Sequence, residues 1–186
     1  MSLLENKDKY WKRFYKNKTA PKNPSSFAVK CNSMIESGSK ILDMGCGNCR
    51  DANYLANNNS VIAVDGNSQD EFTSNEVFFI KSNIEDLVDI KCDYIYSRFF
   101  IHAIPEDVED LFWDYVKRNS KKFFVEARSD KSSFDGDHYR RFINKKSLEN
   151  KLNNFGFNYQ IQEEQGLAVF GDDDPYIIRI FGSISI

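Results

Sequence analysis

Short apolar runs alternate with helically spaced apolar positions along most of the chain. The apolar runs have the length of strands and lie at 40–44, 60–65, 77–81, 92–97 and 122–127, with two further extended runs at 157–163 and 176–183. Helical spacing occupies 50–58, 105–118 and 145–155 between them. Strands that alternate with helices imply right-handed crossovers and a mostly parallel sheet covered on both faces. The pattern therefore predicts an α/β fold with seven strands.

The two ends of the chain depart from this alternation. Apolar rings at 10, 11, 14 and 15 predict a short helix, which a polar, Pro-containing connector at 16–26 separates from a second helix ending near 37–38. The last two extended runs are joined by a short loop, which permits an antiparallel hairpin at the sheet edge. We expect a single domain, 1–186, with an N-terminal aromatic arm at 1–24 and a core at 25–186. The arm either closes over a site as a lid or packs on the sheet.

Composition and charge narrow the setting. The chain carries 25 basic and 28 acidic residues, a net charge of −3, which gives no electrostatic reason to expect a nucleic-acid partner. No apolar run has the length of a membrane span, and the first residues lack the order of a signal peptide. Four cysteines without the spacing of a disulfide framework favour a reducing compartment. We expect a cytoplasmic monomer or homodimer with neither a nucleic-acid nor a membrane partner.

A glycine turn follows the first strand and carries the most specific signal. Gly45 and Gly47 come directly after Asp43, and Asp65 ends the next strand. In open α/β sheets a ligand binds beyond the carboxyl ends of the strands, where such a turn lets backbone approach it closely. Asp65 is placed to bind a ribose diol, and Asp43 suits a cationic amino-acid group because it would repel a phosphate.

With these residues the chain resembles the class I S-adenosylmethionine methyltransferases, which have a Rossmann-like fold. The resemblance is carried by Asp43-x-Gly45-x-Gly47 and by Val61-Ile-Ala-Val-Asp65-Gly66, and it covers almost the whole chain. It implies S-adenosylmethionine as cofactor and S-adenosylhomocysteine as product, with Asp43 at the methionine part, Asp65 at the ribose and Asn83 with Ile84 along the adenine. The cofactor-binding residues that it implies are Asp43, Gly45, Gly47, Arg50, Asp65, Gly66, Asn83, Ile84 and Ser97.

A narrower resemblance concerns two segments, Gly47-Asn-Cys-Arg50-Asp51 and Tyr96-Ser-Arg-Phe-Phe-Ile-His102-Ala-Ile104. They are similar to those of a bacterial subgroup found in cell-surface polysaccharide pathways, including capsular O-methyl phosphoramidate assembly. The resemblance implies a role in capsule or cell-surface polysaccharide biosynthesis.

Three alternatives to a methyltransferase remain open. Position 49, which is Gly in many of these enzymes, is Cys here, and Cys46 with Cys49 also fits a redox or half-metal Cys-x-x-Cys pattern. A nicotinamide-dependent oxidoreductase is a second alternative, although its fingerprint requires Gly where this chain has Arg50. A regulatory protein that binds the cofactor without turnover is a third. The acidic run at 172–174 is interpreted as a solvated turn, and no metal site is predicted.

A basic group of residues is expected at the acceptor end of the site. Arg98 and His102 follow the fourth strand, Arg128 follows the fifth, and the next loop carries His138, Tyr139, Arg140 and Arg141. Guanidinium groups bind carboxylate or phosphate oxygens bidentately, so these residues predict a small anionic acceptor that is methylated on oxygen rather than nitrogen. Structural ion pairs with neighbouring carboxylates are the alternative for each arginine. An alcohol acceptor would require a general base, for which His102 and His138 are the candidates.

Overall fold

Seven strands and five α-helices make up the part of the chain that the computed structural model describes, residues 7–16, 20–67, 73–74, 76–132, 139–165 and 175–184. The helices are α1 (Lys7–Lys16), α2 (Ser26–Asn32), α3 (Arg50–Leu55), α4 (Glu106–Asn119) and α5 (Lys145–Phe155). The strands are β1 (Lys40–Met44), β2 (Ser60–Asp65), β3 (Val77–Lys81), β4 (Tyr94–Arg98), β5 (Lys122–Arg128), β6 (Phe157–Gln165) and β7 (Tyr176–Ile184).

The strands form one sheet in the order β3-β2-β1-β4-β5-β7-β6. Strands β3, β2, β1, β4 and β5 pair in parallel with one another in this order. Strand β7 pairs antiparallel with both β5 and β6. The central strands β1, β4 and β5 are buried almost throughout, as expected for strands covered on both faces. After its buried first residue, the edge strand β6 mostly alternates between exposed and half-buried positions. The sheet confirms the predicted α/β class and the antiparallel hairpin.

Two apolar cores cover the two faces of the sheet. On one face α4 and α5 pack Phe112, Trp113 and Leu152 against the strands. On the other face α2 and α3 contribute Phe27 and Leu55. Successive residues of a strand point to opposite faces, so the apolar runs of the central strands supply both cores.

Two helices are shorter than their apolar spacing predicts. The expected end of α2 lay near 37–38, but the helix ends at Asn32, where the Ser33 hydroxyl donates to the Lys30 carbonyl oxygen at 2.7 Å. The expected end of α3 lay at 58, but the Asn59 side-chain amide donates to the Leu55 carbonyl oxygen at 3.0 Å and closes the helix. In both places a polar side chain donates a hydrogen bond to a carbonyl oxygen of the last helical turn, and the helix ends there.

The carboxyl ends of the parallel strands share one rim of the sheet. This rim carries Met44 of β1, Asp65 of β2, Arg98 of β4 and Arg128 of β5. Within the described residues, no helix is long and apolar enough to cross a membrane. The acidic run at 172–174 lies outside the described residues.

Candidate active site

A cavity of about 440 Å³ opens at the carboxyl rim of the sheet. All the residues predicted to bind the cofactor line it, with the exception of Ser97: they are Asp43, Gly45, Gly47, Arg50, Asp65, Gly66, Asn83 and Ile84. Of the residues predicted to bind the acceptor, Arg98, Arg128 and Arg140 line it. The cavity therefore brings both predicted groups together at the place where ligands bind in open α/β sheets.

The glycine turn forms the floor of the cavity and is held against β2. The backbone N–H groups of Gly45 and Cys46 both donate to the Val64 carbonyl oxygen, at 2.8 and 3.1 Å. Gly45 has a φ of 76°, and a Cβ atom there would stand 2.6 Å from the Phe100 ring. Phe100 packs in turn against Phe112 of the core, with ring centroids 5.8 Å apart. Gly45 is required both by its left-handed backbone and by this contact.

Gly47 places the N-terminal arm over the same turn. Its φ is 56°, and a Cβ atom there would stand 2.7 Å from the Tyr15 hydroxyl oxygen. Burial, followed by the charge of Asp65, raises the pKa of Tyr15 well above its ordinary value. Tyr10, Trp11 and Phe14 of the arm also line the cavity. The aromatic arm thus forms one wall of the site.

Asp65 is oriented by two backbone donors. Its Oδ2 atom accepts the Gly47 N–H at 3.0 Å, and its Oδ1 atom accepts the Asn67 N–H at 2.7 Å. These two hydrogen bonds fix the orientation of the carboxylate at the end of β2, beside the glycine turn. The side chain of Asn83 packs on Gly66 beside it, because a Cβ atom at Gly66 would stand only 2.1 Å from the Asn83 Oδ1 atom.

Asp43 is the most unusual carboxyl group of the cavity. It is 2% exposed, and its Oδ2 atom has no hydrogen-bond partner among the described residues. Burial raises the pKa of Asp43 well above the ordinary carboxyl range, the charge of Asp51 adds to this shift, and Arg98 opposes it. A buried carboxyl with an unsatisfied oxygen is a site for a cation or a donor supplied by a ligand.

Cys49 is accommodated behind the turn rather than beside the cavity. It has a φ of 57° and is fully buried in the core that contains Phe27. Its Sγ atom lies 3.4 Å from that of Cys46, and both thiols are free. Burial raises the pKa of Cys46 well above its usual value, so this thiol is held protonated. The departure from Gly at this position therefore leaves the cavity surface unchanged.

At the end of the cavity where the acceptor was expected, two guanidinium groups lie close to one aromatic ring. Phe99 has a φ of 60°, which is uncommon for a bulky residue, and its N–H donates to the Glu126 carbonyl oxygen at 2.8 Å. The Cζ atom of Arg98 lies 4.1 Å from the Phe99 ring centroid, and that of Arg128 lies 5.5 Å from it. Arg140 lines the same end of the cavity.

His102 does not line the cavity. It is 3% exposed, its ring centroid is 5.2 Å from that of Phe99, and its Nδ1 atom accepts the Arg128 backbone N–H at 3.1 Å. An accepting Nδ1 places the ring proton of the neutral imidazole on Nε2. This position does not suit a general base and instead holds the end of β5.

Three other predicted residues within the described part of the chain, Ser97, Tyr139 and Arg141, do not line the cavity. The Ser97 hydroxyl is fully buried and donates to the Met44 carbonyl oxygen at 2.8 Å, which ties β4 to β1. Arg141 forms an ion pair with Glu109, and its backbone N–H donates to the His102 carbonyl oxygen. Tyr139 is half-buried. His138 lies outside the described residues.

Several lining residues were missed by the sequence interpretation. Asp51 lines the cavity and accepts hydrogen bonds from the Ser25 N–H, the Ser25 hydroxyl and the Tyr96 hydroxyl, each at 2.7 Å. Asn48, which was also missed, donates from its side chain to the Pro21 carbonyl oxygen at 2.7 Å. Arg50, which was predicted, donates from Nη1 to the Asn23 carbonyl oxygen at 3.1 Å. The turn thus anchors the connector that leads to the arm. Asn48 and Asp51 could have been predicted from their place in the sequence, because they follow Gly47 within four residues of the glycine turn.

No protein-family profile matches the chain, and no curated protein shows significant sequence similarity to it. Solved structures do match its fold. The chain is similar to DhpI in complex with SAH, at 15% identity and a TM-score of 0.72, over 98% of this chain and 97% of that one. It is similar to a SAM-dependent methyltransferase from Aquifex aeolicus, at 17% identity and a TM-score of 0.69, over 94% and 98%.

A third similar structure is 1,6-didemethyltoxoflavin-N1-methyltransferase from Burkholderia thailandensis with bound 1,6-didemethyltoxoflavin and S-adenosylhomocysteine. The identity is 16% and the TM-score 0.68, over 86% of this chain and 77% of that one. At such identities the likeness concerns the fold. The chain has the Rossmann-like fold of the S-adenosylmethionine-dependent methyltransferases.

Proposed function

We propose that this protein transfers a methyl group from S-adenosylmethionine to an oxygen of a small anionic molecule. The observation that carries the proposal is the pair of carboxyl groups on either side of the glycine turn. Asp43 is buried with an unsatisfied oxygen, and Asp65 is fixed by two backbone donors at the end of the next strand. One suits a cationic group and the other a ribose diol.

The residues of the cavity fit this cofactor better than a dinucleotide. A dinucleotide places its pyrophosphate on the glycine turn, where an anion would oppose ionisation of the buried Asp43 carboxyl, whereas a cationic group would favour it. The third fingerprint glycine is replaced by Arg50, whose Nη1 atom donates to the Asn23 carbonyl oxygen at 3.1 Å. The antiparallel β7 between β5 and β6 also differs from the parallel dinucleotide sheet. These features favour the methyl donor over NAD(P).

Support for an anionic acceptor comes from the guanidinium groups at the other end of the cavity. Arg98, Arg128 and Arg140 line it, whereas His102, one of the two predicted bases, does not. Guanidinium groups bind phosphate or carboxylate oxygens through paired donors. An oxygen that is already anionic needs no base, so these residues would contribute by binding and orienting the acceptor.

The chemistry follows from this division of the cavity. When bound, S-adenosylmethionine supplies an electrophilic methyl group on a sulfonium, and the acceptor oxygen displaces sulfur, which keeps the electron pair of the broken bond. Asp43 would hold the cationic end and Asp65 the ribose. The arm aromatics and Phe100 would exclude water from the reacting atoms. Alignment of the two reactants supplies the rate in such a displacement.

We further propose that the acceptor belongs to capsule or cell-surface polysaccharide assembly, with a phosphate, phosphoramidate or carboxylate group. This proposal rests on the resemblance of the segments that contain Gly47 and Tyr96 to the polysaccharide subgroup. Deletion of the gene in its host, followed by NMR of the surface polysaccharide, should remove an O-methyl signal. An unchanged spectrum would contradict the proposed pathway while leaving the proposed reaction standing.

Methyl transfer itself is tested with isotopically labelled S-adenosylmethionine and a panel of small phosphonates, phosphate esters and carboxylates. Mass spectrometry should find an acceptor in which one methyl group has replaced one proton. Arg98→Ala and Arg128→Ala should each raise the KM for that acceptor by roughly tenfold or more, with nearly unchanged cofactor affinity. Arg118→Ala is the matched control, because Arg118 pairs with Asp89 and Asp114 away from the cavity. Equal loss of acceptor and cofactor affinity would contradict the assignment.

A further inference from the structure

Three charged side chains stand in one row across the centre of the sheet. Arg98 of β4 is in register with Glu126 of β5, and Glu126 is in register with Arg179 of β7. Residues at the same register of adjacent strands project to the same face, so the row places a carboxylate between two guanidinium groups. Only one member of the row, Arg98, lines the cavity.

Hydrogen bonds within the row use both oxygens of the central carboxylate. Glu126 is fully buried; its Oε1 atom accepts Arg98 Nε at 2.8 Å, and its Oε2 atom accepts Arg179 Nε at 2.7 Å. Arg179 is itself 3% exposed and donates from Nη1 to Glu164 at 3.0 Å. The carboxylate cannot rotate without losing one of two charge-assisted bonds.

The terminal nitrogens of Arg98 are left available by this arrangement. Among the described residues, Arg98 makes its hydrogen bonds through Nε alone, and its Cζ atom lies 4.1 Å from the Phe99 ring centroid. Arg179 is also paired with Glu164, so the charge of this outer guanidinium group is already balanced away from the cavity. Glu126 fixes Arg98 through Nε and leaves its two terminal nitrogens, the paired donors of a bidentate contact, for an anion.

We propose that Glu126, held by Arg179, is the positioning residue that aims the Arg98 guanidinium at the anionic group of the acceptor. This inference rests on the proposed function, because it assigns a role within the same acceptor site. A purely structural ion pair would stabilise the sheet but would not affect anion binding separately from cofactor binding. The two roles therefore differ in what a variant changes.

The test measures binding of inorganic phosphate, used as a probe anion, by calorimetry on the full chain saturated with S-adenosylhomocysteine. Glu126→Gln should weaken phosphate binding by roughly tenfold or more, with S-adenosylhomocysteine affinity unchanged within about twofold. Glu163→Gln is the matched control, because Glu163 is likewise a carboxylate paired with a cationic side chain, that of Lys131, but it lies on β6 and does not line the cavity. The control should change neither affinity.

A double-mutant cycle distinguishes positioning from general destabilisation. In an Arg98→Ala background, Glu126→Gln should have no further effect on phosphate binding, because the group that it aims is gone. Additive losses would overturn the proposal. If Glu126→Gln does not fold, Arg179→Gln removes the outer partner of the carboxylate and should weaken phosphate binding in the same selective way; an unchanged phosphate affinity in that variant would overturn the proposal.

The outcome also separates this inference from the proposed function. Wild-type protein that binds phosphate, together with a Glu126→Gln variant that binds it equally well, would refute positioning and leave the anionic acceptor intact. Wild-type protein that binds S-adenosylhomocysteine but no phosphate would refute both the anionic acceptor and the role of Glu126.

Discussion

At the scale of single residues, the carboxyl group of Asp43 decides how the cavity responds to pH. Burial raises its pKa above the ordinary carboxyl value, so the folded protein holds a proton that the unfolded chain releases. Stability from this group is therefore lost as the pH rises from the ordinary carboxyl pKa, near about 4, to the raised value in the folded protein. A bound cation has the opposite preference because it favours the ionised carboxylate.

Cofactor affinity should accordingly increase with pH until the raised pKa of Asp43 is passed. The expected slope approaches about tenfold per pH unit below that pKa. Asp43→Asn should abolish this slope and weaken S-adenosylhomocysteine binding at neutral pH, which calorimetry over a pH series can measure. A slope that persists unchanged in Asp43→Asn would show that another group governs the affinity.

His102 gives a second prediction at this scale. Because its Nδ1 atom accepts the Arg128 N–H, an asparagine oxygen can replace the acceptor, whereas alanine cannot. His102→Asn should retain kcat/KM within a few-fold, and His102→Ala should lose more through displacement of the end of β5. A general base would instead cost roughly 10² to 10⁴ in either variant. Equal, large losses in two folded variants would favour the base.

At the scale of elements, the contact between α1 and the glycine turn joins the arm to the cofactor site. Gly47 and Gly38 both have positive φ, but a Cβ atom meets Tyr15 at Gly47 and open space at Gly38. Each change to alanine should cost about 1 kcal/mol of stability through backbone strain. Only Gly47→Ala should also weaken S-adenosylhomocysteine binding, as measured by calorimetry beside thermal unfolding. If both variants bind S-adenosylhomocysteine equally well, the contact between Tyr15 and Gly47 does not contribute to cofactor binding.

The elements of the core were predictable because their pattern is local. Buried central strands appear as continuous apolar runs, and the structure places their bounds within a residue or two of the prediction. The ends of α2 and α3 were not predictable, since they depend on the Ser33 hydroxyl and the Asn59 amide. The antiparallel hairpin was predictable from its short connection.

The two halves of the site differ in how much the sequence predicts. The cofactor half is one linear motif at two strand ends, so its residues lie together as expected. Ser97, which was predicted to bind the cofactor, is the exception: it neighbours Arg98 on β4 and points away from the cavity, because side chains alternate along a strand. The acceptor half depends on side chains from distant segments. Arg141 is bound by Glu109 of α4, a partner that spacing does not reveal. The contact between Tyr15 of the arm and Gly47 of the turn is likewise a tertiary contact that the sequence does not reveal.

At the scale of the whole molecule, charge is distributed unevenly. The chain has a net charge of −3, yet Arg98, Arg128 and Arg140 gather at one end of the cavity and the acidic pair Asp43 and Asp65 at the glycine turn. A cationic methyl donor and an anionic acceptor would thus meet groups of opposite charge on entering the same cavity. The sheet sets this separation, because β1 and β2 end on one side of the rim and β4 and β5 on the other.

The most direct test of this account is a calorimetric titration of the full chain with S-adenosylhomocysteine and, separately, with NAD, repeated on Asp65→Asn. We expect one S-adenosylhomocysteine per chain with an affinity in the micromolar range that is usual for such ligands, a marked loss in Asp65→Asn, and no binding of NAD. Binding of NAD without S-adenosylhomocysteine, or S-adenosylhomocysteine binding that Asp65→Asn leaves untouched, would contradict it.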